Sequence, residues 1–277
     1  MKIIIIVIMV ISNSCIKSIN TLSNINKGID NDLILAAIEG NKDKVIDLLN
    51  QGADVDHRDR NGRTALTSAS LNNYVDIVKL LIEKGADVNF KTELRLTALM
   101  VASKYGHTEI VRLLIESNAN INHKDIYERT ALIYASREGR KEVVKLLIEK
   151  GADVNCKDKW RETSLIYASS GGYIDTVKLL IEKGANINYK TNSSNTELLR
   201  LSDNIRNIED KKRNDSIEIA YILIKKIKDD CIQLFTSLNK NENIEQSFKN
   251  EIKNYIDLLH KLNTLPKELF ANIISLY

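Results

Sequence analysis

A threonine returns at Thr64, Thr97, Thr130, Thr163 and Thr196, each 33 positions after the last, and opens the same phrase each time. The clearest copy runs from Glu128 to Asp158, ERTALIYASREGRKEVVKLLIEKGADVNCKD. A glycine or asparagine ends each phrase at the same step, at Gly52, Gly85, Asn118, Gly151 and Gly184. Another marks its middle at Gly40, Asn73, Gly106, Gly139 and Gly172. So strict a period means that one supersecondary unit is stacked along the chain. A single unit cannot enclose its own apolar stripe, so its neighbours must cover it and the array counts as one domain.

Each copy reads as two short antiparallel helices and a protruding turn. Thr64, Thr97, Thr130 and Thr163 precede Ala-Leu or Ser-Leu. A threonine hydroxyl there accepts from the free amides of the first turn, which makes these residues the N-caps of a helix A. The pairs Ala69-Ser70, Ala102-Ser103, Ala135-Ser136 and Ala168-Ser169 keep that helix thin and let neighbouring repeats approach closely. Helix B carries the bulk. Ile77, Val78, Leu81 and Ile82 recur at helical spacing, as do Val143, Val144, Leu147 and Ile148, with Asp76, Lys79, Glu142 and Lys145 on the other side. Burying such side chains stabilises by about 1.5–3 kcal/mol each. Gly85, Gly151 and Gly184 then supply a left-handed residue that stops helix B.

The phrase TALM or TALI, then AS, a glycine and IVKLLIEKGADVN resembles the ankyrin repeat over residues 30–191, five repeats with a degenerate sixth after them. The resemblance implies an all-α ankyrin-repeat solenoid, helix-turn-helix repeats with β-turn fingers, closed by a C-terminal helical cap. The sequence departs from the family at several places. The family's proline after threonine is Ala65, Ala98, Ala131 or Ser164, and its histidine is Thr67, Met100, Ile133 or Ile166. Its turn glycine survives as Gly62, but Arg95, Glu128 and Arg161 hold the same place. If that turn needs a positive φ, these three are strained or use a different turn.

Around the clear repeats the organisation is looser. Residues 16–29 are Asn/Ser-rich and read as a linker. The first repeat, from Asp30 to Asp59, has Asn31 where the threonine would stand and suits a capping repeat with one face in water. Residues 192–228 form the degenerate sixth repeat. Thr196 keeps the register, but the helix B segment SIEIAYILIKKI follows a charged insertion, RNIEDKKRND. Residues 229–277 carry Ile232, Leu234 and Phe235, then Ile252, Ile256 and Leu259, and read as two or three closing helices.

Residues 1–15, MKIIIIVIMVISNSC, have the layout of a short secretory signal: a lysine, nine apolar residues from Ile3 to Ile11, then small residues. Nine residues span about 14 Å as a helix, less than half a bilayer core, so a stable membrane anchor is not expected. Cys15 resembles the acceptor cysteine of bacterial lipoproteins, although Ser12 stands where that family prefers leucine. Cleavage would send the chain out of the cell, to the surface or to the periplasm, and lipidation would tie it to a membrane. Without cleavage the segment folds onto the array of a cytoplasmic protein. The Ile/Lys/Asn-rich composition fits AT-rich coding and a bacterial or viral source.

The net charge of +3 spreads over 40 basic and 37 acidic residues and gives no nucleic-acid track. Cys15, Cys156 and Cys231 are too far apart for a disulfide framework or a metal knuckle. No phosphate-cradling GxxxxGK, HExxH or GxSxG occurs. His57, His107, His123 and His260 are scattered, and finger packing accounts for His57 and His123 better than catalysis does. The expectation is a monomeric, non-enzymatic protein-binding module without metal or cofactor.

What breaks the pattern is the finger tips. Equal phases hold Arg60, Asn61 and Arg63; Glu93, Leu94 and Leu96; Ile126, Tyr127 and Arg129; Lys159, Trp160 and Glu162. By resemblance these phases, with Leu71-Asn72, Lys104-Tyr105, Arg137-Glu138 and Ser170-Gly171 after the alanine pairs, line a concave partner-binding face. Leu94, Ile126, Tyr127 and Trp160 are apolar groups on turns that need none for folding, and aromatic residues with arginines are the types that anchor interfaces. The other reading is that they pack against adjacent fingers. A second signal is the end of the chain, LPKELFANIISLY from Leu265 to Tyr277, which resembles the opening of an F-box. That resemblance implies docking on a Skp1-like subunit of a host ubiquitin ligase through Leu265, Pro266, Glu268 and Ile273. The simple alternative is a last capping helix.

Overall fold

The computed structural model describes residues 28–187 and, beyond them, positions 215, 218–220, 222, 223, 225 and 226. The signal-like start with Cys15, most of the expected linker, and the F-box-like tail with Leu265, Pro266, Glu268 and Ile273 lie outside the described residues. The described elements are helices. α1 covers 28–39. It is followed by α2 (Lys42–Asn50), α3 (Ala65–Leu71), α4 (Val75–Glu83), α5 (Ala98–Tyr105), α6 (Thr108–Glu116), α7 (Ala131–Arg137), α8 (Lys141–Glu149), α9 (Ser164–Gly171) and α10 (Ile174–Glu182). Among the described residues the only β-type pairing is an isolated bridge between Lys157 and Thr163. No helix among them is long and apolar enough to cross a membrane.

By backbone contacts the chain divides into two compact units at the Ile126–Tyr127 bond. The first contains the helix pairs α1/α2, α3/α4 and α5/α6; the second contains α7/α8, α9/α10 and the helical positions between 215 and 226.

In both units the threonines cap helix A as their position requires. Each is extended, with φ between −98° and −104°, and its hydroxyl accepts from the amide three residues on: Thr67 for Thr64 (3.2 Å), Met100 for Thr97 (3.4 Å), Ile133 for Thr130 (3.4 Å) and Ile166 for Thr163 (3.3 Å). α1 differs. It is already helical at residue 28, inside the stretch expected as linker, so Asn31 sits within the helix instead of capping it. Ile29 is half-buried, and the buried Asp30 accepts the amide of Asp54 at 2.8 Å, which gives those residues a reason to be ordered. Helix A is thin enough to disappear into the stack: in α3 every residue from Ala65 to Ser70 is buried.

The helix B stripe is core, with one adjustment. Ile77, Val78 and Leu81 are buried in α4, and Val143, Val144, Leu146 and Leu147 in α8, whereas Ile82 and Ile148 are only half-buried. Gly85, Gly151 and Gly184 end helix B with φ of 89°, 94° and 87°. The mid-phrase glycine has another task. A Cβ on Gly139 would run into the ring of Tyr173, and one on Gly40 into the ring of Tyr74. In each case the aromatic residue before the next helix B packs against the bare backbone of the preceding repeat.

The asparagine of GADVN ties neighbours together. Asn89 Oδ1 accepts the amide of Asn120 at 2.7 Å, and Asn155 Oδ1 accepts that of Asn186 at 2.8 Å. In the first repeat Asp56 plays this part toward the Asp87 amide at 3.0 Å. Burial raises the Asp56 pKa; the Asp87 amide works against that, and the Asp87 and Asp54 carboxylates add to it. Between 215 and 226, Ile219, Ala220 and Leu223 are buried, and Glu218 meets Lys178 at 2.9 Å.

Candidate interaction surface

Each finger is a tight turn built around a residue whose side chain caps it. In the first unit Asp59 Oδ1 accepts the amides of Asn61 (2.8 Å) and Arg63 (2.9 Å), while Oδ2 takes Arg63 Nε and Nη2, both at 2.8 Å. Burial alone would raise the Asp59 pKa, but the bonds from Arg63 and Asn61 outweigh it and hold the carboxyl below its ordinary range. In the second unit the buried Asp158 accepts the amides of Trp160 (2.9 Å) and Glu162 (2.8 Å). Adjacent fingers share one backbone bond: Glu93 N–H to Asn61 O at 3.4 Å, Ile126 N–H to Leu94 O at 3.3 Å, Lys159 N–H to Tyr127 O at 3.0 Å. Gly62, Arg95, Glu128 and Arg161 have φ of 72°, 59°, 60° and 64°, so the turn is kept where the glycine is lost.

The first unit gathers Arg60, Asn61, Arg63, Leu94, Leu96 and Tyr105 around one open groove of about 560 Å³. Leu71 and Val101 on α3 and α5 complete its apolar wall, and Lys104 and Glu93 also line it. Leu94 is 49% exposed and Tyr105 44%, so the groove keeps large apolar surface in contact with water. The Lys104 ammonium lies 5.2 Å from the centroid of the Tyr105 ring. Ile126 does not line the groove; it stands exposed on its finger, tied by its amide to Leu94. His123 belongs to the finger scaffold, with Nε2 2.9 Å from Arg95 O. Burial, helped by the charges of Lys91 and Arg95, lowers its pKa against the bond to Arg95 and the Asp125 carboxylate.

The second unit brings together Tyr127, Arg129, Lys159 and Trp160. The rings of Tyr127 and Trp160 stack at 5.7 Å with 17° between their planes. Lys159 Nζ lies 4.5 Å from the Tyr127 centroid and 4.6 Å from that of Trp160, and the Arg129 guanidinium lies 4.5 Å from Tyr127 and 4.8 Å from Tyr134. Such cation–π contacts contribute about 0.5–1 kcal/mol each at exposed sites. Packing between fingers and exposure therefore coexist: Trp160 is stacked and still 43% exposed. Arg137 lies 5.9 Å from the centroid of Tyr167, whose hydroxyl donates to Asp158 Oδ2 at 2.7 Å. Burial first, then the Asp158 and Glu162 carboxylates, push the Tyr167 pKa far above its usual value, so the hydroxyl stays a donor.

One register of helix A, buried at Ser68 and Tyr134 and exposed at Leu35, escapes a reading based on fingers and alanine pairs. Leu35, Ser68 and Val101 in the first unit share a register with Tyr134 and Tyr167 in the second, each 33 positions from the next. Ser68 and Val101 line the groove, Tyr134 and Tyr167 carry the cations, and Leu35 is among the most exposed large apolar residues described. The signal was available: this phase changes from Leu to Ser to Val to Tyr within a helix whose other letters hardly change.

A family model described as ankyrin repeats (3 copies) matches residues 7–92, 33–125, 88–158 and 124–191. No curated protein matches the chain.

Proposed function

Because the chain belongs to the ankyrin-repeat family, we propose that it is a non-enzymatic module that binds another protein through the inner faces of its A helices and its finger tips. One observation carries this reading. The letters that repeat go into caps, core and clamps, whereas the residues that differ between copies gather on one groove in the first unit and one aromatic ladder in the second. Half-exposed aromatic and leucine side chains held in place by their neighbours lose little entropy on binding, which suits interface anchors. Affinity capture with the intact chain and with a Tyr127→Ala, Trp160→Ala variant tests it. Truncating an anchor pair weakens binding by about tenfold or more. Identical captured proteins at identical yield would remove the ladder from the interface.

The sequence of the tail supports a second reading, in which the array holds a target and Leu265, Pro266, Glu268 and Ile273 dock on an adaptor subunit of a ubiquitin ligase. A Leu265→Ala, Pro266→Ala variant is expected to lose that subunit in a pull-down while keeping the target. Undiminished recovery, or none from the native chain, rejects the adaptor role. Export and lipidation at Cys15 are tested separately, by mass of the mature N-terminus and by labelling with a lipid precursor.

A further inference from the structure

We propose that the groove of the first unit takes an amphipathic helix that presents aliphatic side chains to Leu71, Leu94, Val101 and Tyr105 and acidic side chains to Arg60. This rests on the binding role argued above and adds the shape and charge of the bound segment. The apolar wall asks for aliphatic groups, because Leu94 and Tyr105 stand nearly half exposed beside Leu71 and Val101.

Charge sets the polar edge. Arg60 and Arg63 line the groove together with Glu93. Arg63 is already compensated by Asp59 at 2.8 Å, whereas among the described residues no carboxylate pairs with Arg60. Carboxylates on the partner complete what the groove lacks, and they steer its approach.

The backbone decides between helix and strand. An added strand needs a row of open amides and carbonyls to pair with. This groove has few to give. The amides of Asn61 and Arg63 are held by Asp59, those of Arg95 and Leu96 close on Thr92, and that of Glu93 donates to Asn61 O. The carbonyls of Leu94 and Arg95 accept from Ile126 N–H and His123 Nε2. A segment lying here must satisfy its own backbone, and a helix does so.

Selection of displayed random peptides of about sixteen residues, some 24 Å as helices, on the full chain tests the inference. Binders are measured by fluorescence polarisation on the native chain and on the Leu94→Asp, Arg60→Glu and Trp160→Ala variants. The first two change exposed residues that the fold does not need. The expected binders carry aliphatic residues at helical spacing with Asp or Glu beside them, and gain helical circular dichroism when bound. They weaken about tenfold or more on Leu94→Asp. Arg60→Glu weakens them too, and exchanging the peptide's acidic residues for lysine restores the loss. Binders that need Leu94 but stay extended, or are basic, overturn the helix and its charge while leaving the binding role intact. Binders sensitive only to Trp160→Ala overturn it for this groove. If no binder responds to any of the three variants, this inference and the binding role fall together.

Discussion

Arg95, Glu128 and Arg161 show what a single residue contributes at a finger. They hold φ of 59°, 60° and 64°, the left-handed region that Gly62 occupies at 72° without penalty. A residue with a Cβ loses about 1–2 kcal/mol there, less the entropy that glycine would give up on folding. The surrounding bonds hold the turn in place: Arg161 N–H donates to Asp158 O at 2.9 Å, and Asp158 accepts two further amides. Arg161→Gly is therefore expected to stabilise the second unit by about 0.5–1 kcal/mol, read as a higher urea midpoint. The reverse change is worse than its mirror. A Cβ at Gly62 would lie 2.8 Å from the Glu93 nitrogen, so Gly62→Arg adds a backbone clash to the strain and costs about 2 kcal/mol or more. A neutral result at Gly62 would mean that the finger simply changes turn type.

Elements are held by two devices, the threonine cap and the glycine seat, and they respond to mutation differently. Thr130→Ala removes an acceptor from the first turn of α7 and is expected to cost about 1 kcal/mol. Gly139→Ala should cost more, because its φ of 64° is unfavourable for alanine and the new methyl meets the Tyr173 ring. If that contact is the cause, the Tyr173→Ala background absorbs part of the loss, and thermal melts of the double-mutant cycle show the coupling. Strictly additive losses would assign the cost to the backbone alone. At this scale the sequence was most readable. Caps, stops and core stripe each depend on residue type at fixed local spacing, so Thr130, Gly151 and Val144 declare their roles without a structure. The α1 start was not readable, since helicity at residue 28 draws on the burial of Ile29 and Asp30, a tertiary effect. The register of Leu35, Val101 and Tyr134 was half legible: its letters vary where the rest of the helix repeats. A period says which residues are equivalent, but not what an equivalent set packs against.

At the scale of the whole molecule, acid acts on the first unit through one buried ring. The first holds His123, buried, with Nε2 2.9 Å from Arg95 O and a pKa below the ordinary 6.5 because burial and the charges of Lys91 and Arg95 disfavour its cation. The folded chain thus keeps the ring neutral. Its stabilising contribution is complete above pH 6.5 and is lost as the pH falls through the lowered value. The second unit holds the only tryptophan, Trp160, stacked on Tyr127, so its emission reports that unit's fingers while circular dichroism reports helices in both. Between pH 7 and pH 5, the dichroism midpoint in a thermal melt is expected to fall by about 2–4 °C for each kcal/mol lost. A His123→Gln variant should lose that dependence, because glutamine cannot take up the proton. The Trp160 signal, read in the same melts, shows whether the fingers of the second unit follow the change. Equal pH dependence with glutamine at position 123 would show that the acid-sensitive group lies elsewhere, and the neutral histidine would then be a packing residue with no part in the pH response.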